Sequence, residues 1–154
     1  VFYFLNHEAD IDNLRRTAVK WSDFKDIVVN LPSKVLFLVD TCHSGNIMGS
    51  RRGINDFTKA IKDIINSGTG QVIMTATTGN SYSYEDESWG HGAFTLSLIN
   101  GLVKGEADYN KDNIITIKEL DLFVTTNVSK ITEGLQKPTT IIPESVPDFP
   151  VSVK

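Results

Sequence analysis

The stretch Lys34–Gly45, with the sequence KVLFLVDTCHSG, determines the fold that we expect for this chain. Its five consecutive apolar residues, between Lys34 and Asp40, predict a strand that is buried on both faces, because such a strand need not alternate apolar and polar residues. The small polar residues that follow would lie past the carboxyl end of this strand, where open α/β sheets bind ligands and react. They include Cys42, the single cysteine of the chain.

Strand and helix patterns alternate on both sides of this stretch. The sequence predicts helices at residues 21–31, 57–65, 93–103 and 120–131, and strands at residues 1–5, 35–39, 71–76 and 139–142. Ser22 is placed to cap the first helix and Pro32 to end it. The repeated order of strand, helix and strand predicts parallel crossover units. Prolines in the tail, residues 138–154, favour an extended edge strand and a wrapping segment.

The composition excludes several classes of protein. The 154 residues fit one domain with a single core, and 40% apolar and 22% charged residues are ordinary for a globular protein. A net charge of −4 argues against a nucleic-acid partner. No apolar run approaches the roughly 18 residues that span a bilayer, so we expect no membrane partner.

The single thiol bears on the cellular compartment of the protein, and the first residues bear on whether further residues precede Val1. One cysteine cannot form an internal disulfide and suits a reducing compartment, so we expect a cytoplasmic protein. The chain begins with the apolar run VFYFL, without Met or a basic leader. We therefore expect that residues 1–154 are a domain whose amino-terminal portion precedes Val1.

A lone cysteine is usually a small buried hydrophobe, but the motif around Cys42 favours a nucleophile. The sequence DTCHSG, from Asp40 to Gly45, resembles the D-x-C-H-S-G motif of metacaspases and bacterial caspase-like cysteine peptidases. The resemblance extends to residues 13–22, to residues 75–85, which look like the family's substrate-pocket loop, and to residues 89–95, which look like the helix after it. It thus covers nearly the whole chain.

The resemblance implies a role for each residue that matches the family motif. Cys42 would attack the scissile carbonyl, and its backbone amide would stabilise the oxyanion. Asp40 would form the floor of the S1 pocket and favour a substrate with Arg or Lys at P1, although a strand-end carboxylate that caps the next turn is the alternative. Ser83 and Glu85 would line the same pocket. The chemistry requires no cofactor.

The general base is the missing part of this catalytic dyad. In the family it is a His about 50 residues before the Cys, which is more than this chain provides. His43 adjoins the nucleophile and points to the opposite face, and His91 lies downstream. His7 follows an apolar run but precedes Glu8 instead of Gly. We keep His7 as a candidate and favour a base upstream of Val1, supplied by an amino-terminal fragment or a second chain.

Residues 108–119, DYNKDNIITIKE, match the pattern of an EF-hand calcium loop. The predicted Ca²⁺ ligands are Asp108, Asn110, Asp112, the carbonyl of Ile114, Thr116 and Glu119. Asn113 stands at the sixth position, where Gly is usual, and Asn tolerates the left-handed conformation required there. The alternative is a polar turn between helices that binds no metal.

Arg51 and Arg52 follow the nucleophile in a glycine-punctuated segment that we expect to be an exposed loop. Because the predicted pocket favours Arg, they are candidates for self-processing by analogy with caspase-fold proteins. A solvated basic loop is the alternative interpretation.

The resemblance implies an α/β fold, a caspase-like three-layer sandwich with a mostly parallel sheet and helices on both faces. The function it implies is a cysteine endopeptidase that cleaves peptides or proteins after Arg or Lys. The 154 residues alone would then be inactive unless another segment supplies the base. The rival hypothesis is a non-catalytic caspase-fold module, or pseudoprotease, that binds partners.

Overall fold

A computed structural model of the chain describes residues 3–40, 52–66, 70–76, 90 and 92–154, and it describes the backbone alone for residues 52–58. The strands are β1 (Tyr3–Phe4), β2 (Val19–Lys20), β3 (Val35–Val39), β4 (Gln71–Thr75), β5 (Ile114–Thr116), β6 (Thr139–Ile141) and β7 (Pro150–Val153). The α-helices are α1 (Leu14–Thr17), α2 (Trp21–Val29), α3 (Arg52–Ile65), α4 (Ala93–Leu98) and α5 (Ile117–Ile131).

The central sheet has the order β3-β4-β6 and is mixed. Strands β3 and β4 are parallel, in register from Val35 opposite Gln71 to Val39 opposite Thr75. Helix α3 connects them, as parallel strands require, so the second predicted crossover unit is confirmed. The first, from β1 through α2 to β3, is wrong, because β1 pairs antiparallel with β2 in a separate sheet. Strand β6 pairs antiparallel with β4, which confirms the strand predicted in the proline-rich tail.

The two other described sheets are small and antiparallel. Strand β1 pairs with β2, and β5 pairs with β7. The described part of the chain is therefore an α/β fold with helices and small mixed sheets. Of the four described strand pairs, one is parallel and three are antiparallel.

Strand β4 lies between two apolar cores, which explains why every residue of it is buried. Val72 and Met74 point into a core with Phe94 of α4 and residues of α5. Ile73 points into the other core, which contains Trp21 of α2 and residues of α3. Because successive side chains of a strand alternate between its faces, helices pack against both faces of β4. None of the described helices is both long and apolar enough to cross a membrane.

The helix boundaries differ from the predicted ones at several ends, since α2 ends at Val29 instead of Leu31 and α5 begins at Ile117 instead of Leu120. The residue before α2 is Lys20, so Ser22 lies inside the first turn and donates its hydroxyl to Asp23 instead of capping the helix. Helix α3 begins at Arg52, so that end of the predicted Arg loop is helical. The predicted helix at residues 93–103 is present as α4 followed by a π-helical turn, Ile99–Val103.

Candidate functional site

Asp40 lies at the carboxyl end of the parallel pair of strands. It follows Val39, the last residue of β3, and its side chain is exposed. The backbone amide of Ala76 donates to the carbonyl of Val39 at 2.9 Å, which continues the pairing of β3 and β4 up to this point. The backbone that carries Asp40 is therefore fixed at the carboxyl edge of the sheet. This is the edge at which open α/β sheets bind ligands.

Thr95 holds the Asp40 side chain. Its Oγ1 donates to Oδ2 of Asp40 at 2.5 Å, across 55 residues of sequence. Thr95 belongs to the first turn of α4, whose neighbouring residues Ala93 and Phe94 are almost completely buried. The hydroxyl is thus anchored to the core, and it orients one oxygen of an exposed carboxylate. An ionised carboxylate accepts about four hydrogen bonds, so most of its acceptor capacity stays available to a cationic ligand.

Thr95 is a site residue that the sequence predictions did not name. The resemblance included it within residues 89–95 but gave it no role. The sequence feature that could have indicated Thr95 is its position. It is a hydroxyl residue at the start of the helix that follows β4, the strand next to β3. That signal is weak, because it does not show that α4 and the end of β3 meet.

Four of the predicted site residues lie outside the described residues. They are the nucleophile Cys42, the pocket residues Ser83 and Glu85, and the processing candidate Arg51. Arg52 is the first residue of α3, and its side chain is also outside the described part.

His7, the candidate base within the chain, is exposed and lies in a turn after β1. The amide of Ala9 donates to the carbonyl of Asn6 at 3.1 Å and closes this turn. Strand β1 pairs with β2 and not with the central sheet. The strand before His7 therefore belongs to a different sheet from the strand before Asp40.

The predicted calcium loop has a tightly turned backbone. Lys111 and Asn113 have φ of 61° and 66°, so both adopt the left-handed conformation. The carboxylate of Asp108 accepts the amides of Asp112 at 3.2 Å and Asn113 at 3.1 Å. The carboxylate of Asp112 in turn accepts the amide of Ile114 at 2.8 Å. The side chains of the first and fifth loop positions thus face the inside of the turn.

The end of this loop is also the start of α5. Oε2 of Glu119 accepts the amide of Thr116 at 3.0 Å, and Oγ1 of Thr116 accepts the amide of Glu119 at 3.3 Å. These two bonds form a capping box. In the described residues no three His, Cys, Asp or Glu side chains converge as a metal site. The loop supplies the oxygen ligands that Ca²⁺ prefers, and Glu119 is turned towards the helix cap.

A groove of about 490 Å³ lies at the opposite end of the central sheet. Lys34 and Gly70, which precede β3 and β4, line it together with residues 145–147. Asp40 follows the carboxyl end of β3, so the groove and Asp40 lie at opposite ends of this strand.

Comparison of the chain with protein-family models, with curated proteins and with solved structures gave no match.

Proposed function

We propose that this chain is the nucleophile-bearing part of a caspase-like cysteine endopeptidase that cleaves peptide bonds after Arg or Lys. The observation that carries the proposal is the carboxylate of Asp40, exposed at the carboxyl end of β3 and oriented by Thr95, two residues before the single cysteine. A carboxylate with a fixed orientation can accept strong, charge-assisted hydrogen bonds from a basic P1 side chain.

The packing of helices on both faces of the central sheet supports the proposal. Helices pack against both faces of β4, and the nucleophile follows a strand of the parallel pair. In the proposed complete fold, a caspase-like three-layer sandwich, further parallel strands would continue the sheet from β3. They would come from the same portion that supplies the base.

The proposed reaction proceeds through an acyl-enzyme. A His takes the proton of the Cys42 thiol, and the thiolate attacks the carbonyl carbon of the basic P1 residue. The backbone amide of Cys42 donates to the resulting oxyanion. The C–N bond breaks as the imidazolium gives its proton to the leaving amine, and water then hydrolyses the thioester. Asp40 binds the P1 guanidinium or ammonium throughout.

In this proposal the base comes from an amino-terminal fragment or a second chain, and the position of His7 after a strand of another sheet supports this choice. His7 stays the alternative within residues 1–154. Replacement of His7 by Ala distinguishes the two, since activity persists in this variant if the base lies elsewhere.

The deciding experiment measures cleavage of fluorogenic peptides that end in Arg, Lys or Asp by the natural protein and by Cys42→Ala. We expect cleavage after Arg and Lys, none after Asp, and no cleavage by the variant. An Arg chloromethyl ketone should alkylate Cys42, as detected by peptide mass spectrometry. Full activity of Cys42→Ala would overturn the proposal, and binding of basic peptides without turnover would favour the pseudoprotease.

We also propose that the loop of residues 108–119 binds one Ca²⁺ ion and stiffens the fold. The left-handed Asn113 and the inward carboxylates of Asp108 and Asp112 favour this function. Asn110, Thr116 and the carbonyl of Ile114 would supply further oxygens. Glu119 would complete the set by turning one oxygen from the cap towards the ion.

Calorimetry with Ca²⁺ tests the loop, with Glu119→Gln as the informative variant. Gln still accepts the hydrogen bond of the capping box but lacks the charge that binds the ion, so the helix is preserved and the affinity falls. Glu144→Gln, an exposed substitution outside the loop, is the matched control. The absence of both binding heat and a thermal shift in the unmodified protein would refute this proposal.

A further inference from the structure

The bond between Thr95 and Asp40 joins a core-anchored helix to an exposed strand end. Thr95 is half-buried on α4, and the side chain of Ser97 in the same helix is fully buried, with its hydroxyl donating to the carbonyl of Ala93 at 2.8 Å. Asn127 of α5 donates to Ser97 at 3.1 Å and ties α4 to α5. Helix α4, which carries Thr95, is thus anchored to α5.

This bond restricts the rotation of the Asp40 carboxylate. Without it, an exposed Asp side chain turns about two torsions, and its terminal torsion is broad. The Thr95 proton fixes Oδ2, and with it the plane of the carboxylate and the direction of Oδ1. The orientation of the carboxylate plane affects the binding of some cationic side chains more than that of others.

Arg and Lys differ in their need for an oriented carboxylate. The planar guanidinium binds both oxygens through two parallel hydrogen bonds, so it requires the carboxylate plane to match its own. The ammonium of Lys is a compact charge with three rotatable donors and tolerates a rotated carboxylate. Fixing the plane therefore favours Arg over Lys.

We propose that Thr95 is a positioning residue that sets the preference of this site for Arg over Lys at P1. The inference rests on the proposed peptidase function and goes beyond it. Thr95 acts through Asp40 and has no part in bond cleavage. A Ser at this position keeps the donor, and a Val keeps the shape but removes it.

The test compares kcat/KM for two peptides that differ only in Arg or Lys at P1, using the natural protein, Thr95→Val and Thr95→Ser. We expect Thr95→Val to lower the ratio of Arg to Lys cleavage about tenfold, the size of one hydrogen bond to a charged group. Thr95→Ser should restore the ratio to within about threefold. A structural defect would lower both rates together and leave the ratio unchanged.

The outcomes separate this inference from the proposed function. Cleavage after both residues with an unchanged ratio in Thr95→Val overturns the role of Thr95 and leaves the peptidase intact. Failure of the natural protein to cleave either peptide overturns the peptidase and the role of Thr95 with it. Thermal melting of each variant identifies loss of folding, and Thr95→Ala, which also lacks the donor, replaces Thr95→Val if that variant does not fold.

Discussion

The side-chain amide of Gln136 donates to the backbone carbonyl of Ala76 at 2.9 Å, in a fully buried position. Gln136 follows α5 by five residues, and Ala76 follows the last residue of β4, so the bond joins segments 60 residues apart. It fixes the chain where β4 ends, beside the strand end that carries Asp40. The region around the proposed site is therefore held partly by a buried polar residue of the tail.

Replacement of Gln136 by Met should lower the free energy of unfolding by about 1–3 kcal/mol, because the carbonyl of Ala76 loses a buried donor while the side-chain volume is kept. Chemical denaturation monitored by circular dichroism measures the change. Lys137→Met, an exposed neighbour, is the control and should alter stability much less. Equal stability of the two variants would show that the bond contributes little.

Gly101 permits close packing of the π-helical turn against α5. A Cβ at this position would lie 2.9 Å from Cδ1 of Phe123, closer than ordinary van der Waals contact. Gly101→Ala should therefore destabilise the protein by about 1–3 kcal/mol through overpacking. The substitution Phe123→Leu removes ring atoms, so it should recover part of this loss in the double variant.

Thermal denaturation of the two single variants and the double variant measures this coupling. Thr126→Ala, on the exposed side of α5, serves as the control for a neutral helix substitution. Strictly additive effects of Gly101→Ala and Phe123→Leu would contradict the contact as the cause.

The sequence was sufficient to predict the elements whose burial pattern is local. Strand β3 and strand β4 lie within one residue of their predicted bounds, but only β4 is buried along its whole length. The prediction that β3 is covered on both faces was wrong for the described residues: only Val39 is buried and Leu38 is exposed, because β3 lies at the edge of the described sheet. The proline-rich tail was also predicted to contain an edge strand, which is β6.

The parts that the sequence did not predict depend on contacts between distant segments. Strand β7 pairs with β5, which lies within the calcium-like loop of residues 108–119, and neither of these short strands has a strong pattern of its own. The contact of Thr95 with Asp40 likewise requires α4 to meet the end of β3. Ser22 is an example of a local signal that the structure does not follow. Its side chain favours the N-cap position, but α2 begins at Trp21, so Ser22 lies inside the first turn.

Asn113 tests the backbone of the calcium-like loop independently of catalysis. Its φ of 66° is left-handed, which Gly adopts freely and Ala does not. We expect Asn113→Gly to stabilise the protein slightly or leave it unchanged, and Asn113→Ala to destabilise it by about 1 kcal/mol. Chemical denaturation without Ca²⁺ measures both effects, and a greater stability of the Ala variant would contradict the described turn.

Asp40→Asn tests the charge of the proposed S1 residue. Asn is nearly the same shape and its amide oxygen can still accept the Thr95 hydroxyl, so the variant isolates the negative charge. We expect kcat/KM for Arg and Lys peptides to fall about 100-fold, as for loss of a strong charge-assisted contact. Cleavage of a peptide with neutral Gln at P1 should stay as slow as in the natural protein.

Asp26→Asn, which removes an exposed carboxylate from α2, is the matched control for net charge and should leave all three rates unchanged. The comparison identifies a general effect of net charge, because each of the two substitutions removes one negative charge from an exposed side chain. If Asp40→Asn lowered the rates for basic and neutral peptides by the same factor, Asp40 would support the fold of the site and would not select its substrate.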